Sequence, residues 1–259
     1  MTVLKKRLLA GLRSVVTGLV LLFGFGGFMA LITFAFHWAN ATEHFRLRRI
    51  VVTGNQFLEK EELLNLVEMS QSATLTQIDP EGLQEKLEDH PYIKAARVSS
   101  NYPSTLSIDI IERKPIAYIN HVPFLMVDED GVVLPLKDGE LEFDIPTLSG
   151  FNPASELYLA GERCLSRKVL ETVDFLNLVT VEFPDLYGDI SEVQINATDE
   201  YVLFLSQHPT RIYLGSTPSA LKIRVLRQFS HIITGARTLH DYSYVDLRYE
   251  KQIVVREKA

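Results

Sequence analysis

The chain has 259 residues, a hydrophobic fraction of 46% and a net charge of −7. This length is typical of about two domains, and this composition is that of a packed globular protein rather than a disordered one. Broad nucleic-acid binding is not expected, because it needs a basic surface. The single cysteine, Cys164, cannot form an internal disulfide, and we interpret it as a small buried hydrophobe.

The N-terminal part of the sequence is typical of a membrane anchor. Residues 1–14 contain no acid and four basic residues: Lys5, Lys6, Arg7 and Arg13. The apolar run Val15–Phe36 carries no charge, and about 20 such residues in a helix cross a bilayer. We predict a cytoplasmic tail at 1–14 and a transmembrane helix at 15–38, with all later residues outside the cytoplasm. The triplet Ala39–Ala41 resembles a signal-peptidase site, so a cleaved signal peptide remains the alternative.

The next segment predicts a small unit with the order strand, helix, helix, strand, strand. Alternating apolar and β-branched residues predict the strands 46–53, Ile93–Ser99 and Thr105–Glu112. In the first helix Leu63, Leu66 and Val67 share one face. The second helix has Asp79 as its expected N-cap and Pro80 at its first position.

The rest of the chain predicts a mainly antiparallel β domain with packed helices, which makes the protein α+β. The predicted strands are Phe124–Val127, Val132–Leu136, Ile190–Asn196, Tyr201–Ser206 and Arg211–Leu214. The first two are expected to form a hairpin. One helix is expected at Arg167–Val181 after the cap Ser166. A later helix is expected to have Thr217 as its cap and Pro218 at its first position. The expected apolar stripe of that later helix is Leu221, Val225, Phe229 and Ile232.

The stretch Ser243–Arg256, "SYVDLRYEKQIVVR", alternates as a strand with one buried face. Only three residues follow it, so we expect it at a sheet edge, where unpaired backbone groups usually need protection. The pattern leaves two forms open, one bulged strand or a tight hairpin around Glu250-Lys251.

The sequence contains no recognisable catalytic or metal-binding motif. It has no G-x-S-x-G, H-E-x-x-H, C-x-x-C or P-loop pattern, and its seven histidines show no ligand spacing. Asp128, Glu129 and Asp130 lack the further oxygen ligands of an EF-hand. We therefore predict that the protein is not an enzyme and has no catalytic residue, cofactor or metal.

Three stretches together resemble one known family. "IVVTGN" lies after the anchor, "HPYIKAARVSSNYPSTLSIDIIERKPIAYI" spans the small unit and its exit, and "YVDLRY" lies near the C-terminus. They resemble the FtsQ/DivIB family of bacterial division proteins. The resemblance implies a POTRA-like β-α-α-β-β domain at 44–114 and a β domain with a C-terminal partner-binding strand at 115–259.

The resemblance also implies what the protein does. We expect a non-enzymatic scaffold of the division machinery in the cytoplasmic membrane, with its domains outside the cytoplasm. Its expected partners are single-pass division proteins of the FtsB and FtsL type, through which it would connect to the septal peptidoglycan synthase. The expected mechanism is addition of a partner strand to an open sheet edge.

Carried over position by position, "YVDLRY" matches Tyr244–Tyr249. The residues expected to bind a partner are Tyr244, Arg248, Tyr249, Lys251, Ile253 and Val255. The last three lie after Tyr249, where the chain departs from the family pattern. The structural alternative is that Val245 and Leu247 are core and that Arg248 is a solvated charge.

A second surface is expected beside the membrane. Arg46, Arg48 and Arg49 would contact either another partner or anionic lipid headgroups. The alternative function is a POTRA-type periplasmic chaperone of secretion or outer-membrane assembly, but such proteins normally continue into a transmembrane barrel. A membrane-anchored hydrolase is disfavoured, because no nucleophile and base pair is recognisable.

Overall fold

The computed structural model describes residues 2–41, 45–68, 73–136, 143–206 and 209–258. The α-helices are α1 (Thr2–Ala41), α2 (Lys60–Leu66), α3 (Pro80–Glu88), α4 (Arg167–Glu182), α5 (Pro184–Asp189) and α6 (Ala220–Ile233). The first six strands are β1 (Arg49–Thr53), β2 (Ile93–Asn101), β3 (Thr105–Glu112), β4 (Pro115–Ile119), β5 (Leu125–Asp128) and β6 (Val133–Pro135). The other six are β7 (Thr147–Ser149), β8 (Ile190–Ile195), β9 (Tyr201–Leu205), β10 (Arg211–Gly215), β11 (Tyr242–Asp246) and β12 (Val254–Glu257).

Helix α1 contains a stretch that is long and apolar enough to cross a membrane. This stretch, Thr17–Trp38, has 22 residues and a mean hydropathy of 2.3, and none of it is buried inside the protein. Its large apolar side chains are exposed, as lipid-facing side chains are. The helix therefore fits the predicted transmembrane segment.

The chain divides into two compact units that alternate along the sequence. The first consists of residues 1–53, 68–83 and 97–109, and the second of 54–67, 84–96 and 110–259. In the first unit β1 pairs in parallel with β3, and Phe45 makes an edge-to-face ring contact with Tyr102.

The predicted order strand, helix, helix, strand, strand is confirmed for residues 46–112. Elements β1, α2, α3, β2 and β3 follow one another, and the sheet order is β1-β3-β2. Asp79 also accepts a hydrogen bond from Glu81 N at 3.2 Å, as expected of a residue just before a helix. Strand β1 is shorter than predicted. Arg46 forms only an isolated bridge to Thr74, and regular pairing begins at Arg49.

The second unit contains a nine-stranded sheet with the order β12-β11-β10-β9-β8-β7-β4-β5-β6. Most neighbours are antiparallel, as predicted, but β4 with β7, β7 with β8 and β10 with β11 are parallel. Each parallel pair needs a crossover connection, because a tight turn cannot join parallel strands. Helices α4 and α5 lie between β7 and β8 in sequence, and α6 between β10 and β11.

The core of this unit contains residues of both the sheet and the helices. Val173, Leu176 and Val179 of α4 are buried together with Ile223 and Leu226 of α6. Cys164 belongs to the same core and is 1% exposed, and burial raises the pKa of its thiol.

The prediction for α6 was wrong in its start and in part of its buried face. The helix begins at Ala220 after Ser219, not at Pro218 after Thr217. Leu221 is 70% exposed and Ile232 is 74% exposed, whereas both were expected in the apolar stripe. The Lys222 ammonium donates to the carbonyl oxygens of Leu214 and Thr217. The carbonyl of Thr217, in the connection between β10 and α6, is thus bonded by a side chain and not by the helix backbone.

Two buried carboxylates hold connections of the second unit in place. Glu112 accepts hydrogen bonds from the backbone N–H groups of Gln56, Phe57 and Leu58 at 2.7–2.9 Å. Asp128, which is 1% exposed, accepts from Val132 N at 2.7 Å and from Arg113 Nη1 at 2.8 Å. Each of the two carboxylates thus accepts hydrogen bonds from three protein N–H donors, the third at Asp128 being Asp130 N.

Candidate partner-binding edge

The sheet has two edges, and the chain itself covers the one at β6. Val133 N donates to Glu162 O at 2.9 Å, and Gly161 N donates to Val133 O at 2.8 Å. Val132 and Arg163 form an antiparallel bridge in the same place. The segment 161–164 therefore satisfies the outer backbone groups of Val133 in β6.

The other edge is formed by β12. This strand pairs antiparallel with β11, with Val245 opposite Val255 and Tyr244 opposite Arg256. Residues 243–256 therefore form two strands and not one, and the connection between them turns at Glu250-Lys251. Within the described part of the chain no strand lies on the outer side of β12.

The direction of the backbone groups at this edge follows from one hydrogen bond. Leu247 N donates to Tyr213 O of β10 at 2.9 Å, so the backbone groups of Leu247 face β10. Because these groups alternate along a strand, those of Val245 also face β10, and those of Tyr244 and Asp246 face β12. Val255 lies opposite Val245 in a non-hydrogen-bonded pair. Its N–H and C=O therefore point away from β11, toward the open side.

The helix-facing side of this edge is apolar. Val245 is 0% exposed, and Val255 and Ile253 are half-buried against the core. A groove of ≈ 790 Å³ lies beside Ile253, and it is also lined by Val225 of α6 and by Leu247.

The opposite face of the edge carries aromatic and basic side chains. Phe204 lies opposite Arg211, Arg211 opposite Tyr244, and Tyr244 opposite Arg256, so the four form one row across β9 to β12. The guanidinium of Arg211 lies 5.9 Å from the centre of the Phe204 ring, within the range of a cation–π interaction.

Arg248 is held within the domain, just after β11. Its Nη2 donates to Asp246 Oδ2 at 2.7 Å, its Nη1 donates to Glu200 Oε2 at 3.2 Å, and the guanidinium lies 5.1 Å from the centre of the Tyr213 ring. Burial alone would raise the pKa of Asp246, but the hydrogen bonds and charge of Arg248 outweigh it and hold this pKa below its usual range. The side-chain hydrogen bond to Asp246 raises the pKa of Arg248 above its ordinary value. The cluster fixes the start of the β11–β12 connection.

Comparison with known proteins decides the family. An FtsQ-type POTRA domain matches residues 45–113, and the family model "FtsQ/DivIB, C-terminal related" matches residues 114–255. The chain belongs to the FtsQ/DivIB family.

Individual relatives agree with these matches. The cell division protein FtsQ of Geotalea daltonii is 26% identical over 83% of this chain and 77% of its own length. That of Rhodothermus marinus is 28% identical over 96% of this chain and 87% of its own length. That of Syntrophotalea carbinolica is 25% identical over 93% and 84%.

Membership in the FtsQ/DivIB family supports a role in the bacterial division machinery and interaction with other proteins of that machinery. Helix α1 fits a single-pass protein of the inner membrane. Within the described residues no group of three or more His, Cys, Asp or Glu side chains is placed to hold a metal ion.

The structure places the six expected partner-binding residues in β11, in β12 and in the connection between them, and their settings differ. Tyr249 is 52% exposed and Lys251 is exposed, and both lie in the β11–β12 connection. Ile253 and Val255 are half-buried on the helix-facing side. Tyr244 lies on the opposite face, where its ring contacts Tyr213 at 6.0 Å.

Two features of the edge were not predicted from the sequence. One is the internal binding of Arg248, because Glu200 lies 48 residues earlier and no local pattern links the two. The other is Arg256. Its alternation with Val255 indicates an exposed side chain, but it was not among the predicted partner-binding residues. The second expected surface, Arg46, Arg48 and Arg49, lies in the first unit, and all three residues are exposed.

Proposed function

We propose that this protein is a non-enzymatic, membrane-anchored scaffold of the division machinery that binds another single-pass division protein by strand addition at β12. The single observation that carries this proposal is the outward N–H and C=O of Val255 at an edge that no described residue covers. A partner strand would satisfy these groups with main-chain hydrogen bonds.

The proposed arrangement in the membrane follows from charge. The tail at 1–14 is basic and stays in the cytoplasm, the helix at 15–38 spans the bilayer, and the later domains lie in the periplasm or its external equivalent. We assign the POTRA-like domain to 44–114 and the partner-binding β domain to 115–259, in agreement with the extent of the two family matches.

The proposed partners are proteins of the FtsB and FtsL type, which would link the scaffold to septal peptidoglycan synthesis. Family membership supports this class of partner. The exposed Arg46, Arg48 and Arg49 form a proposed second surface beside the membrane, for anionic headgroups or for another division partner.

The proposal is tested by replacing Val255 with proline in the full chain, purified in detergent from its native membranes. Proline removes the outward N–H, and an edge position that has no partner tolerates it. We expect at least a tenfold loss of co-purified single-pass division proteins, identified by mass spectrometry. Val255→Thr is the matched control, because it keeps the N–H and most of the side-chain shape, and it should retain them.

Circular dichroism on both variants separates loss of binding from loss of fold. The proline variant should unfold within a few degrees of the parent chain. If it is folded and still retains its division partners at the parent level, strand addition at β12 is wrong.

A further inference from the structure

The exposed row across the sheet ends in a cation. Arg256 is the last residue of the row formed with Phe204, Arg211 and Tyr244, and it lies on the strand with the open side. Its side chain is exposed, and it forms no ion pair with any other residue that the structure describes. A residue of an added strand directly opposite Arg256 would lie beside this guanidinium on the same face.

Two neighbouring arginines differ from Arg256 because they already have carboxylate partners. Arg248 is bound to Asp246 and Glu200, and Arg237 forms an ion pair with Glu257. Arg256 is therefore the cation of the edge strand β12 that is left to select a partner.

The other face of the edge continues a different row. Leu203, Ile212, Val245 and Val255 lie opposite one another on the helix-facing side. The first three are 0% exposed, and Val255 is half-buried. A partner residue opposite Val255 would extend this apolar row on the helix-facing side, so it must be apolar to be buried without cost.

We infer that the partner segment is a β-strand in which an apolar residue, opposite Val255, is directly adjacent to an acidic residue, opposite Arg256. This inference rests on the proposed strand addition and names the chemistry of the strand that is added. The apolar residue supplies buried contact. The acidic residue gives specificity, because opposite charges across adjacent strands attract and like charges repel.

The experiment selects random ten-residue peptides displayed on messenger RNA for binding to the full chain in detergent micelles. Two targets are compared, the parent chain and Arg256→Glu. The parent should enrich Asp or Glu next to an apolar residue, and the variant should enrich Lys or Arg at that same position. Exchange of the selected acid for lysine should weaken binding to the parent about three- to tenfold and strengthen binding to the variant. The same residue preference with both targets, acidic or aromatic, would overturn the inference.

A cross-link checks the register of the selected peptide. Arg256→Cys is mixed with a peptide that carries cysteine in place of the selected acid, under oxidised glutathione. We expect a disulfide to form, because directly opposite residues lie within reach of one. Glu257→Cys, one position along and on the other face, should react at least fivefold more slowly. Cys164 is 1% exposed and does not compete. Equal rates at both positions would contradict the assigned register.

Val255→Pro distinguishes the two possible failures. If the selected peptides bind this variant as well as the parent, strand addition itself is wrong. If they are lost on Val255→Pro but keep their preference on Arg256→Glu, the proposed function stands and the acidic partner residue is wrong.

Discussion

The two edges of the nine-stranded sheet differ in whether the chain itself covers the outer backbone groups of the edge strand. At β6 the outer N–H of Val133 donates to Glu162 O, and segment 161–164 covers the strand. At β12 the outer N–H of Val255 points to a side that no described residue covers. Edge strands promote unwanted association and are usually protected. The contrast between a protected and an open edge in the same sheet supports the proposed binding surface at β12.

The largest expected effect on stability is that of Val133→Pro at the covered edge. The substitution removes the N–H that Val133, a fully buried residue, donates to Glu162 O, and it also removes packed methyl groups. We expect a loss of roughly 2–4 kcal/mol in the free energy of unfolding. Urea unfolding followed by circular dichroism measures it, and Val255→Pro is the matched substitution at the open edge. Equal losses at both positions would remove the distinction between the edges.

Asp128→Asn tests the support of the covered edge and should have the next largest effect. Asp128 is buried at the turn before β6, and the substitution removes the negative charge that holds Arg113. A loss of about 2 kcal/mol is expected from the weakened charged hydrogen bonds. Asp130→Asn is the control, because the carboxylate of Asp130 is 47% exposed and its ion pairs should contribute at most about 1 kcal/mol. Thermal unfolding that ranks the two variants in the reverse order would contradict this account.

At the open edge, Asp246→Asn should have a smaller effect that depends on pH. The pKa of Asp246 is lowered in the folded protein, so its contribution to stability is present above the unfolded pKa of about 3.9 and is lost as pH falls through the folded value. We expect the variant to be about 1.5 kcal/mol less stable at pH 7 and the gap to be smaller at pH 2. Urea titrations at both pH values measure the difference. A constant gap would show that the Asp246–Arg248 pair does not carry the effect.

Much of the sheet could be predicted from local pattern. Tyr201–Leu205 and Arg211–Gly215 differ from the predicted strands by one residue each, because period-two alternation marks a strand with one buried face. Helix α4 likewise ends within one residue of its prediction. These elements are specified by residues that are close together in the sequence.

The rest depended on contacts between distant residues. Thr217 and Pro218 have the chemistry of a helix start, but Lys222 binds the Thr217 carbonyl, and the helix begins at Ala220. Arg248 was predicted as a partner contact, with a solvated charge as the alternative, and neither prediction included binding within the domain. Its partner Glu200 lies on a different strand, and only the assembled sheet brings the two together.

The internal pairing of Arg248 also has a kinetic consequence. Two carboxylates outweigh the charge of this guanidinium, so Arg248 itself supplies no long-range attraction for an acidic partner, and that attraction is left to the single exposed Arg256 of β12. Association is then expected in the unsteered range of about 10⁵–10⁶ M⁻¹s⁻¹, with weak dependence on ionic strength. The lifetime of the complex would come instead from its dissociation rate, which short-range contacts of the docked strand determine.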